Sequence, residues 1–241
     1  MSLIFEEIDF QKTPLGDISL RRRTEPRLDN KLIYEVKLGE EFLMSSLFVE
    51  AEEQLSELGL AKLHENGHDD PLDIIVGGLG LGYTALKALQ DDSVGKLRVI
   101  DVMAPVIQWH RDAVLPIGDV LAAHARCELV LGDFFEIATD QHVGFQDDLQ
   151  VHAVLLDIDH SPQHWLNDSN AAFYTEESLQ KVANKILSGG VFGLWSNDVP
   201  DQAFIDRLNQ VFAYTDAHLI TFDNPYSGGV STNSVYICTV N

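Results

Sequence analysis

The segment Gly77-Gly78-Leu79-Gly80-Leu81-Gly82 follows directly on the apolar run Leu72-Asp73-Ile74-Ile75-Val76. Glycines between a strand and a helix let the backbone approach a ligand closely, and the helix start offers unpaired amides. Asp101 ends the next apolar run, where a carboxylate can accept hydrogen bonds from ribose hydroxyls. The loop satisfies two patterns. Gly78-x-Gly80-x-Gly82 suits a turn that cups the ribose and amino-acid tail of S-adenosylmethionine, while Gly80-x-Gly82-x-x-Ala85 suits a dinucleotide.

Two later segments favour the first pattern. In Gly132-Asp133-Phe134, a carboxylate can accept from an adenine amino group while the aromatic ring covers the base. Asp133 could equally cap a helix. Leu155-Leu156-Asp157-Ile158-Asp159-His160 sets two carboxylates just past the end of an apolar strand, the edge at which open α/β sheets bind ligands. Acids clustered there can take a proton from an ammonium nucleophile or stabilise a cation. His160 and His164 beside these acids raise a metal site, but capping or exposed residues account for them as well, and no metal is expected. Trp195-Ser196-Asn197-Asp198 falls at the same sheet edge. Tyr226, in the turn 224–229, could wall the site.

Positioning these residues requires alternating strands and helices. Strands are predicted at 72–76, 96–101, 127–131, 151–157, 191–196, 218–222 and 234–239, with helices at 83–90, 105–114, 176–187 and 202–212. That alternation gives an α/β fold, a doubly wound, mostly parallel seven-stranded sheet with one antiparallel strand in a terminal hairpin. Before it, short runs at 4–10, 17–23, 31–38 and 41–44 make a small antiparallel β element over residues 1–46. A connecting helix and linker fill 47–71, with Ser45 or Ser46 as N-cap. Its apolar stripe is Leu47, Ala51, Leu55 and Leu58, with Glu50, Glu53 and Glu57 on another face. The nucleotide-binding unit is 72–241.

Thirty-eight acidic against sixteen basic residues give a formal charge of −22. Such a surface repels phosphate backbones and anionic membranes and attracts cations, polyamines included. Acidity for solubility alone explains it too. No run reaches the roughly 20 apolar residues that span a bilayer, and the start MSLIFEEIDF is unlike a signal peptide. Cys127 and Cys238 read as buried thiols of a reducing cytoplasm.

The chain resembles the spermidine synthase-like aminopropyltransferases. The likeness lies in Val76-Gly77-Gly78, Val99-Ile100-Asp101, Leu131-Gly132-Asp133-Phe134-Phe135-Glu136, Leu155-Leu156-Asp157 and Phe173-Tyr174-Thr175-Glu176-Glu177-Ser178-Leu179. It implies a methyltransferase-like Rossmann fold, an N-terminal element that helps close the site, and a homodimer. It also implies that Asp157 deprotonates an attacking amine; Asp159 and Glu50 are expected to assist it. The expected transferase binds S-adenosylmethionine or its decarboxylated form across Gly78, Gly80 and Gly82, with Asp101, Asp133 and Phe134 around the nucleoside. Aminopropyl transfer to a small amine is the first reading. Methyl transfer stays open because Leu79 and Leu81 stand where the family carries an acid. A silent nucleoside-binding module and a nicotinamide oxidoreductase are further alternatives.

Overall fold

The computed structural model describes residues 3–69, 71–145 and 149–241. The first four strands, β1 (Phe5–Thr13), β2 (Gly16–Glu25), β3 (Lys31–Leu38) and β4 (Glu41–Ser45), form an antiparallel sheet in chain order. Helix α1 (Glu50–Glu65) leads into the main sheet. There β5 (Leu72–Gly77), β6 (Val94–Asp101), β7 (Cys127–Leu131), β8 (Val151–Leu156) and β9 (Ile186–Ser196) run parallel. The hairpin β10 (Tyr214–Asn224) and β11 (Gly229–Thr239) completes seven strands in the order β10-β11-β9-β8-β5-β6-β7, with β11 antiparallel to β9. Helices α2 (Tyr83–Leu89), α3 (Ala104–Arg111), α4 (Val120–Ala123), α5 (Phe134–Thr139), α6 (Glu176–Asn184) and α7 (Gln202–Val211) cover it.

Period-two alternation explains the layering. On β5, Ile74 and Val76 join one core with Leu55, Leu63, Leu97 and Val99, whereas Ile75 joins the opposite core with Val154, Phe192 and Phe204. Strands buried on both faces read as continuous apolar runs, which is why they were visible in the sequence. Register then sets the site. Gly77 lies opposite Ile100 on one side and Leu156 on the other, and Asp101 lies opposite Leu131. The loops after β5, β6, β7 and β8 therefore leave the sheet at one level, which is also the level of Gly78, Asp101, Asp133 and Asp157.

Several boundaries differ from expectation, among them the hairpin strands, which are longer at 214–224 and 229–239, and α3, which ends at Arg111. Helix α1 begins at Glu50 after Val49, which gives no side-chain cap. Ser45 and Ser46 serve the preceding turn instead, their hydroxyls accepting from Leu47 N and Tyr34 N. The helix expected through residue 187 stops at Asn184, and β9 runs through Gly189-Gly190. A Cβ on Gly190 would stand 2.6 Å from the His152 carbonyl, so only glycine lets the strand pass there. Among the described residues no helix is long and apolar enough to cross a membrane.

Candidate active site

The glycine loop is held from below and from both sides. Gly78 and Gly82 have φ of +97° and +89°, a conformation side chains disfavour. Gly78 N donates to Ile100 O at 2.9 Å, and Asp157 N donates to Gly77 O at 2.8 Å. His110 is fully buried under the loop, and its Nε2–H donates to the Gly80 carbonyl at 3.0 Å. Burial lowers its pKa to about 4, so this support stays neutral at physiological pH. Gly82 turns the chain into α2 over His110, Ile117 and Leu121, beneath the loop.

Asp101 binds the loop itself. Its carboxylate accepts from Leu79 N at 2.9 Å and Met103 N at 2.7 Å, and also from the Gly80 amide; burial raises its pKa against these bonds. Three amides against about four lone-pair sites leave room for one ligand hydroxyl rather than two. Asp133 caps α5, its Oδ1 accepting from Phe135 N and Glu136 N, and its Oδ2 has no partner among the described residues. It is thus both cap and available acceptor. Phe134 is 2% exposed, and its ring would lie 2.7 Å from a Cβ on Gly77. It is the floor of the site more than a cover. The exposed apolar surface beside Asp101 is Val102, a residue the sequence reading passed over.

Asp157 sits deep in the cavity. Thr84 Oγ1 donates to its Oδ2 at 2.7 Å, and the Thr84 carbonyl accepts from Ser56 Oγ at 2.7 Å. That chain ties α1 to α2 and to the acid. Its carboxylate keeps some accessible surface, but that surface faces the cavity rather than open solvent, and burial pushes its pKa up to about 6. Glu52, one turn before Ser56 on α1, is 8% exposed; burial first, and then Asp157, lift its pKa well above the usual carboxylate range. Two buried carboxyls that repel one another share a proton readily and welcome a cation.

Glu52, and not Glu50, is the α1 acid that lines this cavity. Glu50 is exposed, and its carboxylate accepts from Val49 N. Glu52 shares a face with Leu55, Ser56, Gly59 and Leu63, all buried, a spacing that carried the signal. Asp159 also departs from its expected role. It is 3% exposed, outside the cavity lining, and accepts from Leu166 N, Asn170 Nδ2 and Tyr174 OH at 2.8 Å each. It organises the segment 160–174. Asp159→Ala would strand three buried or half-buried donors, and is expected to lower the melting temperature by roughly 5–10 °C in a thermal melt. Tyr226 turns away from the cavity as well. Its hydroxyl accepts from Arg23 Nη2 at 2.8 Å, and the Arg27 guanidinium lies 4.6 Å over its ring. It fastens the hairpin to the N-terminal sheet.

That sheet roofs a cavity of about 940 Å³, near the upper end of ordinary ligand sites. Further fasteners are Trp109 Nε1–H to Asp9 Oδ2 at 2.6 Å and His160 Nε2 to Glu41 Oε1 at 2.9 Å. Met44 of β4 lies over Gly80, and its sulfur accepts from Leu81 N. Gly78 and Gly80 of the loop, Asp101, Asp133 and Asp157 line the cavity under this roof, whereas Gly82, expected to bind the cofactor, turns into α2 outside the lining.

The strand order, the roofing sheet and the loop edge can now be set beside known proteins. Neither a protein-family model nor a curated protein matches this chain. Solved structures do. The spermidine synthase from Thermotoga maritima superposes with a TM-score of 0.71 over 98% of this chain and 72% of its own, at 18% identity. The chain has the fold of the spermidine synthases. A spermidine synthase in complex with the transition-state analogue AdoDATO gives 0.71, covering 98% of this chain and 74% of that one, also at 18% identity. Human methyltransferase-like protein 13 in complex with SAH gives 0.61 at 18% identity, over 79% of this chain and 82% of that one. The two spermidine synthases are thus matched across the roofing sheet as well as the seven-stranded unit, the methyltransferase across less of the chain.

Proposed function

We propose that this chain is a transferase that takes a positively charged adenosyl-sulfonium donor and passes an aminopropyl group to an amine. The observation behind this reading is the charge of the cavity. Glu52 and Asp157 stand together in it, and no Lys or Arg is among its described lining residues. A donor that has lost its carboxylate is a dication, which anionic walls favour. The carboxylated donor would add a third negative group beside two buried carboxyls, with no basic side chain to meet it.

The lining suits the nucleoside. Asp101 offers one acceptor to the ribose, Asp133 Oδ2 one to the base, and Val102 and Ile158 apolar surface to its faces. The sulfonium supplies an activated carbon and a neutral thioether leaving group. The protein's own part is alignment and proton removal. As the amine nitrogen forms the C–N bond, the C–S bond breaks with its electron pair on sulfur, and an N–H proton passes to Asp157. Glu52 faces the donor's ammonium, a duty for which the loop offers only buried Leu79 and Leu81. Those two leucines favour the second reading, methyl transfer from S-adenosylmethionine.

Titration calorimetry with both donors separates the two. The decarboxylated form is expected to bind about tenfold tighter or more. Because a cation lowers the pKa of the Glu52–Asp157 pair, its binding near pH 7 should also release protons, read as a heat that varies with the buffer. Tighter binding of the carboxylated form, without proton release, would move the assignment to methyl transfer.

A further inference from the structure

We infer, resting on that reading, that the acceptor carries a single amine on an apolar, aromatic-sized body and is not a linear diamine. The cavity wall beyond Asp157 is the basis. Phe48 and Phe222 stand with ring centroids 5.4 Å apart, and Trp195, Val230 and Leu43 extend the same apolar surface. These residues come from the roof, from the end of β9 and from the β10–β11 hairpin, so the surface continues the site rather than forming a separate groove.

Polar groups on that wall are neutral and mostly engaged. Asn233 Nδ2 donates to Asn197 Oδ1 at 3.1 Å, and Ser231 Oγ accepts from Asn224 Nδ2 at 2.8 Å. The Trp195 indole N–H is buried without an acceptor, so it is a donor that no ammonium can use. His160, also in the lining, pairs with Glu41.

The carboxyl count is decisive. Among the described residues only Glu52, Asp101, Asp133 and Asp157 bring carboxyls to the cavity. Asp101 and Asp133 lie at the nucleoside end, Asp101 held by the amides of Leu79 and Met103 and Asp133 by those of Phe135 and Glu136 at the start of α5. Glu52 and Asp157 are spent on the donor ammonium and the attacking nitrogen. The attacking nitrogen loses its charge to react, so an amine with an apolar remainder leaves no unpaired cation. A diamine would leave its second ammonium against rings and neutral amides, where burying an unpaired charge is strongly disfavoured.

The test uses the full chain and calorimetry with 2-phenylethylamine and 1,4-diaminobutane, each titrated after decarboxylated S-adenosylhomocysteine, an unreactive nucleoside thioether that keeps the donor's aminopropyl ammonium on Glu52. The aromatic monoamine is expected to bind about tenfold tighter or more. Equal or tighter binding of the diamine overturns the inference, and so does failure of both amines to bind a nucleoside-loaded chain. Failure of the nucleoside itself to bind is a different result, since it removes the transferase reading on which the inference stands. Thr232→Asp supplies the missing anion on the hairpin wall. In a variant whose thermal melt shows it folded, the preference should shift toward the diamine by about tenfold, and an unchanged ratio counts against the inference.

Discussion

Changing Asp157 to Asn is expected to cut turnover by about 10²–10⁴-fold, with nucleoside affinity changed by no more than about threefold. Asparagine keeps the shape of the side chain and an oxygen able to accept from Thr84 Oγ1, now 2.7 Å from Oδ2. The backbone stays tied to Gly77 through Asp157 N. What it lacks is a lone pair basic enough to take the amine proton. The sign of the pH dependence follows. Burial places the Asp157 pKa at about 6, above its usual 3.8. A base works only when deprotonated, so kcat/KM of the wild-type chain should climb as pH rises through about 6 and the limb should vanish in the variant. A carboxyl with a raised folded-state pKa also weakens the fold as pH rises from 3.8 to about 6, because the folded protein holds the proton more tightly. Rate and stability should therefore move in opposite directions across the same window. Appearance of the adenosyl thioether, followed by chromatography, measures the first, and thermal melts the second. An Asn variant with near wild-type turnover would remove Asp157 as the base and leave Glu52 as the carboxyl to examine.

Much of this site could be read before the fold because its parts follow strands buried on both faces. Such strands announce themselves as apolar runs, and what comes next in the chain must lie at the ligand edge; Gly78, Asp101 and Asp157 were found in that way, while Asp133 follows the half-exposed edge strand β7. The misplacements have a common cause. Asp159 is paired by Leu166, Asn170 and Tyr174, in a segment whose path no periodicity describes. Tyr226 is fixed by Arg23, 203 positions earlier in the chain. Both depend on partners that no helical or strand period brings together. Glu52 is different, because its signal was local. The stripe Leu47, Ala51, Leu55 and Leu58 left Glu52 unassigned, although it lies three, four and seven residues before the buried Leu55, Ser56 and Gly59. A charged residue on an inward face is costly to keep there. That cost marks it as a residue with work at the site.

Changing Gly78 to Ala is the structural counterpart, with an expected loss of about 3 kcal/mol or more in denaturant unfolding, and of turnover together with it. Two effects add. The residue holds φ at +97°, where a side chain is strained, and its new Cβ would run into the carbonyl oxygen of Asp157. That obstacle is backbone, pinned by the bond from Asp157 N to Gly77 O, so it cannot swing aside. Relief must come from parting β5 and β8 at the level of the Asp157 carboxylate. Gly80 offers the control. A Cβ there meets the Met44 thioether, the free end of a flexible side chain, at a φ of only +44°. Gly80→Ala should cost about 1–2 kcal/mol, and adding Met44→Ala should recover part of it, since the clash belongs to the pair. The same addition should recover nothing in Gly78→Ala. Equal losses at both glycines would mean that the loop needs only conformational freedom. A loss concentrated at Gly78 would mean that contact between the loop and Asp157 sets the position of its carboxylate.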